Sequence, residues 1–296
     1  MEQGQVEAEP GGVNADGVGS VRPGMEVELQ PPWIPETTAI IPTCDNYDQL
    51  RFCLSSLLMH TQGVPYEPTS WEGLRTMPPL YAVVVNNGVP SGITRNLSAH
   101  PFYQVAEAGG NKGWEGGLAL GLAVEPKSPL VLLCNDDIHV PPGDMTWLGK
   151  MVQTLRDHPD VAAVGPKSNF VMHHQHIHAC GADGRLLPPV VLETKLLIGF
   201  CVLVRRDALE SVGGVTQGLP GGDDFDLSLR LTAAGWRLAI QGDVYVHHWG
   251  CQTGARLFPQ RWNSREMIED TRDEIIRRHR LRPYLAMMNF KPVPLV

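Results

Sequence analysis

The chain has 296 residues, with 32 Asp and Glu against 24 Lys and Arg, a formal net charge of −8. That acidic balance disfavours a nucleic-acid backbone binder, which carries a basic surface. The length suffices for one large α/β domain or two small ones, and apolar residues at 43% supply the core such a domain needs.

The six cysteines, at 44, 53, 134, 180, 201 and 251, show no C-x-x-C spacing, which argues against a structural zinc site. Cys134 and Cys201 sit inside apolar runs, where a reduced thiol behaves as a small hydrophobe, so a reducing, cytoplasmic setting is expected. The longest apolar stretch, Leu196 to Val204, is about half of what a helix needs to span a bilayer. The N-terminus lacks the basic-then-apolar order of a signal peptide. No transmembrane segment is expected, and a peripheral membrane contact stays open.

Residues 1–32 are rich in Gly, Glu, Val and Pro without a sustained period and read as a flexible N-terminal arm. The run Thr38-Ala39-Ile40-Ile41-Pro42 predicts a first strand. Leu50, Cys53, Leu54, Leu57 and Leu58 then form a helical stripe within 45–59. Leu80 to Val85 predicts a buried strand stopped by Asn86-Asn87-Gly88, and a short strand fits 105–107. A Gly-rich start and a helix fit 111–123, an all-apolar strand fits Leu130 to Cys134, a helix fits 145–155 and a strand 161–164.

Beyond that point the pattern is less regular. Residues 167–195 hold His173, His174, His176 and His178 and a hairpin turn at 182–184; the histidines lack the ligand spacing of a zinc site and read as loop or acceptor contacts. Leu196 to Val204 predicts one strand. At Asp223-Asp224-Phe225-Asp226-Leu227 the alternation of apolar residues reads as strand. Asp223 as N-cap, Asp226 at the acidic third position and Gly235 at the C-terminus favour a helix instead. Residues 263–282 predict one charged helix ending in Arg277, Arg278, Arg280 and Arg282, cations suited to a helix C-terminus. Trp114, Trp236 and Trp249 are expected mostly in the core, with Trp114 also placed to stack on a sugar.

Strands alternating with helices imply a mostly parallel sheet covered on both faces, whose carboxyl ends carry function. Thr43, Asn86-Asn87 and Asn135-Asp136-Asp137 each directly follow an apolar strand. With Asn111-Lys112-Gly113-Trp114-Glu115-Gly116-Gly117, Gly221-Gly222-Asp223-Asp224-Phe225-Asp226-Leu227 and Val244-Tyr245-Val246-His247-His248-Trp249-Gly250, these segments resemble, in order and spacing, the family 2 glycosyltransferases. The match runs from about Thr37 to Gly250. Departures are Asn86 where that family often has Asp, Asn135 in place of the first acid of D-x-D, and Asp223 where Glu is common.

The resemblance implies a GT-A, Rossmann-like α/β fold, with a mostly parallel sheet flanked by helices and a mixed-strand acceptor side. The expected organisation is a catalytic domain over 33–262, made of a nucleotide-sugar half (33–140) and an acceptor half (141–262), then a C-terminal helix and tail (263–296). The implied reaction is inverting, metal-dependent transfer of a sugar from a nucleoside-diphosphate sugar to an acceptor hydroxyl. By analogy this belongs to surface polysaccharide or glycoconjugate assembly. Pro42, Thr43, Asp45, Asn86, Asn111, Lys112, Gly113, Trp114, Asn135 and Asp136 are the implied donor-binding residues. Asp137 is the implied ligand of Mg²⁺ or Mn²⁺, with His247 or His248, and His247 is favoured. Mg²⁺ needs only one or two protein carboxylates beside phosphate oxygens and water. Asp224 is the implied base and Asp223 the next candidate, since neighbouring like charges raise a carboxyl's pKa and improve it as a proton acceptor near neutral pH. The glycines at 113, 116 and 117 are expected to admit backbone amides to the nucleotide at a helix N-terminus.

Two other classes compete. A sugar nucleotidyltransferase needs a basic, Gly-rich triphosphate loop after the first strand, and Pro42-Thr43-Cys44-Asp45 is not one. A non-catalytic nucleotide- or sugar-binding protein on the same fold is opposed by the acid at 224. Donor base, sugar, acceptor (glycan, lipid-linked or other) and oligomeric state are left open.

Overall fold

The computed structural model describes residues 36–61, 80–90, 96–97, 102–143, 145–177, 189–250 and 252–296. The expected N-terminal arm, the hairpin turn at 182–184, His178, Cys180 and Cys251 lie outside them.

The first half builds a parallel sheet because its strands are apolar on both faces. β1 (Thr37–Thr43) and β2 (Leu80–Asn86) are buried at every position. Successive side chains of a strand point to opposite faces. Ala39 and Ile41 of β1, with Leu80, Ala82 and Val84 of β2, meet one core; Ile40, with Tyr81, Val83 and Val85, meets the other. The first core is closed by α1 (Tyr47–Met59), whose Leu50, Cys53, Leu54, Leu57 and Leu58 are buried as the stripe predicted. The second is covered by α2 (Gly113–Val124) through Leu118. β3 (Tyr103–Glu107) and β4 (Leu130–Cys134) complete this half. β5 (Ile138–His139) follows β4 after a turn, and α3 (Trp147–Asp157) then packs Trp147, Leu148, Met151, Val152 and Leu155 into the first core.

The second half adds β6 (Val161–Lys167), a 3-10 turn at His173–Gln175, β7 (Val191–Thr194), β8 (Cys201–Arg205), α4 (Arg206–Ser211), α5 (Asp223–Ala233), β9 (Arg237–Tyr245) and β10 (His247–His248). It closes with α6 (Gln252–Leu257), α7 (Arg265–His279), α8 (Leu281–Met288) and β11 (Val293–Pro294). The nine-stranded sheet has the order β11-β7-β9-β6-β8-β4-β1-β2-β3. From the pairings, β7 and β8 run against the other seven strands, so the sheet is mostly parallel with its antiparallel members on the second-half side. β10 pairs with β5 in a separate two-stranded sheet.

Four sequence expectations change. The strand expected over 196–204 starts only at Cys201, because Leu197, Ile198 and Gly199 spend their amides on the side chains of Ser228, Gln175 and Asp224. α5 is a helix, but its N-cap is Gly222 in a left-handed conformation (φ 77°), with Asp223 the first helical residue. The single helix expected over 263–282 is two, broken at Arg280 (φ 72°); Ser264 caps the first by accepting from the Met267 amide. Trp249 is 52% exposed rather than core, while Trp147 is fully buried.

α7 packs behind α5: Asp226, one turn into α5, accepts from His279 Nε2 at 2.7 Å and from Arg230 Nε at 2.8 Å. Arg277 and Arg278 both pair with Glu274. No helix of the described residues is long and apolar enough to cross a membrane.

Candidate active site

β1 sits between β2 and β4 with all three parallel, so loops from their carboxyl ends diverge around one crevice, the place where open α/β sheets take ligands. An open cleft of about 340 Å³ lies there. Of the expected residues, Pro42, Thr43, Asn111, Gly113, Trp114, Asn135, Asp136, Asp137, Asp223, Asp224 and His248 line it; Asp45, Asn86, Lys112 and His247 do not.

The residues that miss the cleft have definite local tasks. Asn86 is fully buried; its Nδ2 donates to Glu107 Oε2 at 2.7 Å and its Oδ1 accepts from the Gly88 amide at 3.0 Å. Asp45 Oδ1 accepts from the Val89 amide at 2.9 Å, tying the β1 loop to the β2 loop. Lys112 is exposed and serves as the N-cap residue of α2. His247 packs edge-on against Trp249, with Nδ1 3.2 Å from the Tyr245 hydroxyl. Among the expected glycines only Gly113 (φ 75°) reaches the cleft. Gly117 permits close packing instead: an added Cβ would stand 2.7 Å from Pro42 Cβ and 2.8 Å from Asn87 Nδ2.

Asp136 and Asp137 form a turn just after β4, and their side chains face apart. Asp136 accepts from Thr43 Oγ1 at 2.6 Å and Asn46 Nδ2 at 3.2 Å, which fastens the β4 loop to the β1 loop. Burial pushes its carboxyl up to about 7, Asp137 adds to the rise, and those two hydrogen bonds oppose it. Asn135 and Asp137 turn the other way, toward His248.

His248, not the favoured His247, meets Asp137: Nε2 lies 3.2 Å from Asp137 Oδ1. His248 Nδ1 is 2.7 Å from the Phe170 carbonyl, which can only accept, so Nδ1 carries a proton and the neutral ring presents its lone pair at Nε2. The Asn135 amide donates to that lone pair at 3.2 Å. Asp137 is 4% exposed and its Oδ1 has no hydrogen-bond partner. A buried carboxylate oxygen facing an imidazole lone pair, with no proton between them, is a cost that a cation relieves. Among the described residues no group of three His, Cys, Asp or Glu gathers around a metal position, so the protein offers this pair alone. Two protein ligands match a cation whose other positions are filled by phosphate oxygens and water.

Asp223 and Asp224 begin α5 on the opposite wall. Asp224 Oδ1 accepts from the Gly199 amide at 2.6 Å. Burial drives the Asp224 carboxyl up to about 6, held back by the Gly199 hydrogen bond and one from Asp223. The Asp223 carboxyl rises well above the ordinary range through burial, then the charges of Asp224 and Glu115. The pair therefore shares its proton with Asp223 the holder and Asp224 the ionised member at neutral pH. Gly199 is needed for this fit: an added Cβ would stand 2.5 Å from Asp224 Oδ1 and 2.8 Å from Trp114 Cη2. Gly199→Ala is expected to displace Asp224 and lower turnover by about a hundredfold, the order a 1 Å misplacement costs. The check is steady-state kinetics beside an unfolding curve; unchanged turnover would mean Asp224 tolerates the shift.

These raised carboxyls also set how stability follows pH. Asp136, Asp223 and Asp224 bind a proton more tightly folded than unfolded, where an aspartate sits near 3.8. Between pH about 4 and 7 the folded chain thus holds more protons, and stability falls as pH rises, by at most about 1.4 kcal/mol per pH unit for each group. Asp226, held low by Thr216, His279 and Arg230, and Glu193, held low by Lys195 and Arg237, act oppositely and lose their contribution only in stronger acid. The metal-free protein is expected to unfold at a higher temperature at pH 5 than at pH 7.5. Calorimetry showing a flat or reversed trend would mean these carboxyls are solvated.

Sequence reasoning missed the near wall of the cleft. Gln252, Thr253, Gly254, Leu257, Phe258 and Trp262 line it from α6 and the segment after it, and Arg256 donates to the Cys44 carbonyl across the opening. Their only signal was Gly254, whose added Cβ would lie 2.4 Å from the Trp262 ring. Ile198, Gly199 and Phe200 were hidden inside an apolar run.

No family model matches the chain. It is 27% identical over 248 residues to the O-antigen biosynthesis protein RfbC of Myxococcus xanthus, covering 76% of this chain and 18% of that protein. It is 25% identical over 224 residues to the pre-mycofactocin glycosyltransferase of Mycobacterium tuberculosis, covering 72% of this chain and 42% of that one. The chain thus spans less than half the length of these curated relatives. Among solved structures, a mannosyltransferase of Pyrobaculum calidifontis in complex with GDP-Man and Mn²⁺ superposes with a TM-score of 0.59 at 20% identity, over 84% of this chain and 66% of that one. GalNAc-T7 with UDP, GalNAc and Mn²⁺ superposes with a TM-score of 0.54 at 10% identity, over 73% and 44% of the two chains. The superpositions give the chain the GT-A type of fold, and its sequence is similar to these glycosyltransferase and O-antigen biosynthesis relatives.

Proposed function

We propose that the chain transfers a sugar from a nucleoside-diphosphate sugar to an acceptor hydroxyl, with inversion, in polysaccharide or glycoconjugate assembly. The observation that carries this reading is the unpartnered Asp137 Oδ1 facing the His248 Nε2 lone pair, across one cleft from the Asp223–Asp224 pair. The names of the curated relatives support the assembly context, and the Mn²⁺ and nucleotide or nucleotide sugar in the neighbouring structures support the donor class.

A divalent cation held by Asp137 and His248 supplies positive charge to a diphosphate leaving group. The protein's own groups do the rest. Thr43, Asn111 and Gly113 border the donor side of the cleft, and Trp114 lines it with its ring against Gly199, whose amide Asp224 holds. Asp224, ionised above about pH 6, accepts the acceptor hydroxyl's proton through the oxygen that Gly199 does not occupy. The deprotonated oxygen then attacks the anomeric carbon opposite the diphosphate, which inverts the configuration. Asp223 keeps its proton and prevents two adjacent charges at the base.

The test is thermal unfolding against UDP, dTDP, GDP, CDP and ADP, each with and without Mn²⁺. A nucleotide at a hundred times its dissociation constant adds about 2.7 kcal/mol, a shift of several degrees. The expected result is a Mn²⁺-dependent shift with one base, followed by transfer from the matching nucleotide sugar with an inverted anomeric proton signal by NMR. A folded sample that shifts with none of them contradicts the donor class.

A further inference from the structure

β10 pairs with β5 along one edge only, so the main chain of His248 needs partners on its other edge. They come from Asn169, just beyond β6. Its Oδ1 accepts from the His248 amide at 2.9 Å and its Nδ2 donates to the His248 carbonyl at 3.1 Å, a side chain taking the place of a strand. The Tyr245 hydroxyl donates to the same Oδ1 at 3.2 Å and holds the amide plane. The next residue, Phe170, accepts the His248 Nδ1 proton through its carbonyl. Two consecutive residues therefore fix the backbone of His248 and the tautomer of its ring, while Phe200 stacks on the imidazole with ring centroids 5.1 Å apart.

Only an amide side chain does this. It offers one donor and one acceptor in a single plane at the reach the His248 peptide requires. An aspartate keeps the acceptor but sets a carboxylate against the His248 carbonyl, and an alanine leaves both peptide groups unpaired.

We infer that Asn169 is a positioning residue for cation binding: by clamping both sides of the His248 peptide it aims Nε2 at Asp137. The inference rests on the proposed ligand role of His248. Outer partners of metal-ligating histidines commonly set ring orientation, and losing one costs about ten- to a hundredfold in metal affinity.

The experiment titrates Mn²⁺ alone into the metal-free wild type, Asn169→Ala, Asn169→Asp and His248→Ala, counting free Mn²⁺ by electron paramagnetic resonance. Imidazole tautomers are read by ¹⁵N-histidine NMR. His248→Ala is expected to lose the site. Both Asn169 variants are expected to weaken it ten- to a hundredfold and to populate the Nε2–H tautomer of His248. Affinity within twofold of wild type in Asn169→Ala, with the site lost in His248→Ala, overturns the positioning role and leaves the metal site standing. Undiminished affinity in His248→Ala overturns the metal reading itself. Should neither Asn169 variant fold, Asn169→Gln keeps the amide but lengthens its reach: a tenfold or greater loss of Mn²⁺ affinity in it supports the positioning role, and affinity within twofold of wild type overturns it.

Discussion

Asp224→Asn is expected to lower kcat by about 10²- to 10⁴-fold, the range a positioned general base contributes, while nucleotide affinity stays within about threefold of wild type. The substitution keeps the shape of the side chain and, through the amide oxygen, the acceptor for the Gly199 amide, so the loop at 196–200 keeps its course. What it removes is the proton-accepting oxygen. The same assignment makes turnover in the wild type fall about tenfold per pH unit below about 6, where Asp224 becomes protonated. Asp223→Asn and Asp223→Ala test the partner: the amide stands in for a protonated carboxyl and can still donate to Asp224, so the acid limb stays near 6, whereas alanine removes the hydrogen bond that holds Asp224 down and moves the limb to higher pH. Steady-state kinetics over pH 4.5 to 8 check all three statements. Turnover unaffected in Asp224→Asn would remove Asp224 from the chemistry.

Asp137→Ala is expected to reduce metal-dependent nucleotide affinity by a hundredfold or more, since a metal's hold on a diphosphate is worth several kcal/mol. A second consequence separates this from ordinary damage. Asp137 Oδ1 is buried and unpartnered, so removing it takes away an uncompensated polar group, and the metal-free variant unfolds at the same temperature as wild type or above it. Thermal unfolding in chelator supplies the first half of the check, calorimetry the second. A variant that is destabilised without metal, yet keeps its affinity for nucleotide and Mn²⁺, would make Asp137 a structural acid.

What the sequence made legible follows from period and position. β1, β2 and β4 carry uninterrupted apolar runs because both faces of a central parallel strand are buried, and the polar residues directly after them had to lie at one edge. Asp136 and Asp137 follow from that position, Asp223 and Asp224 from the family resemblance, and all four line one cleft. The features that escaped are those set by tertiary hydrogen bonding. Leu196 to Val204 is continuous in hydrophobicity, yet its first residues turn, because Asp224, Ser228 and Gln175 from elsewhere in the chain claim their amides. Adjacent histidines on a strand had to face apart, but which one faced Asp137 was decided by Asn169 and Phe170, nearly eighty residues earlier. Asn86 was expected to bind the donor, but it lies outside the cleft, and Glu107 on the neighbouring strand occupies its amide. The wall formed by 252–262 had no periodic signature; Leu257, Phe258 and Trp262 reach the cleft through the turn that follows a six-residue helix.

One nucleoside diphosphate and one divalent cation are expected to bind together between Asp137, His248 and the β1 loop. Calorimetric titration of the nucleoside diphosphates into wild type, Asp137→Ala and His248→Ala, in Mn²⁺ and in chelator, tests it most directly. One nucleotide is expected to bind the wild type tightly in Mn²⁺ and at least a hundredfold more weakly in chelator, and each variant in Mn²⁺ to behave like the wild type in chelator. Nucleotide binding of equal strength in Mn²⁺ and in chelator, unchanged by either substitution, would contradict it.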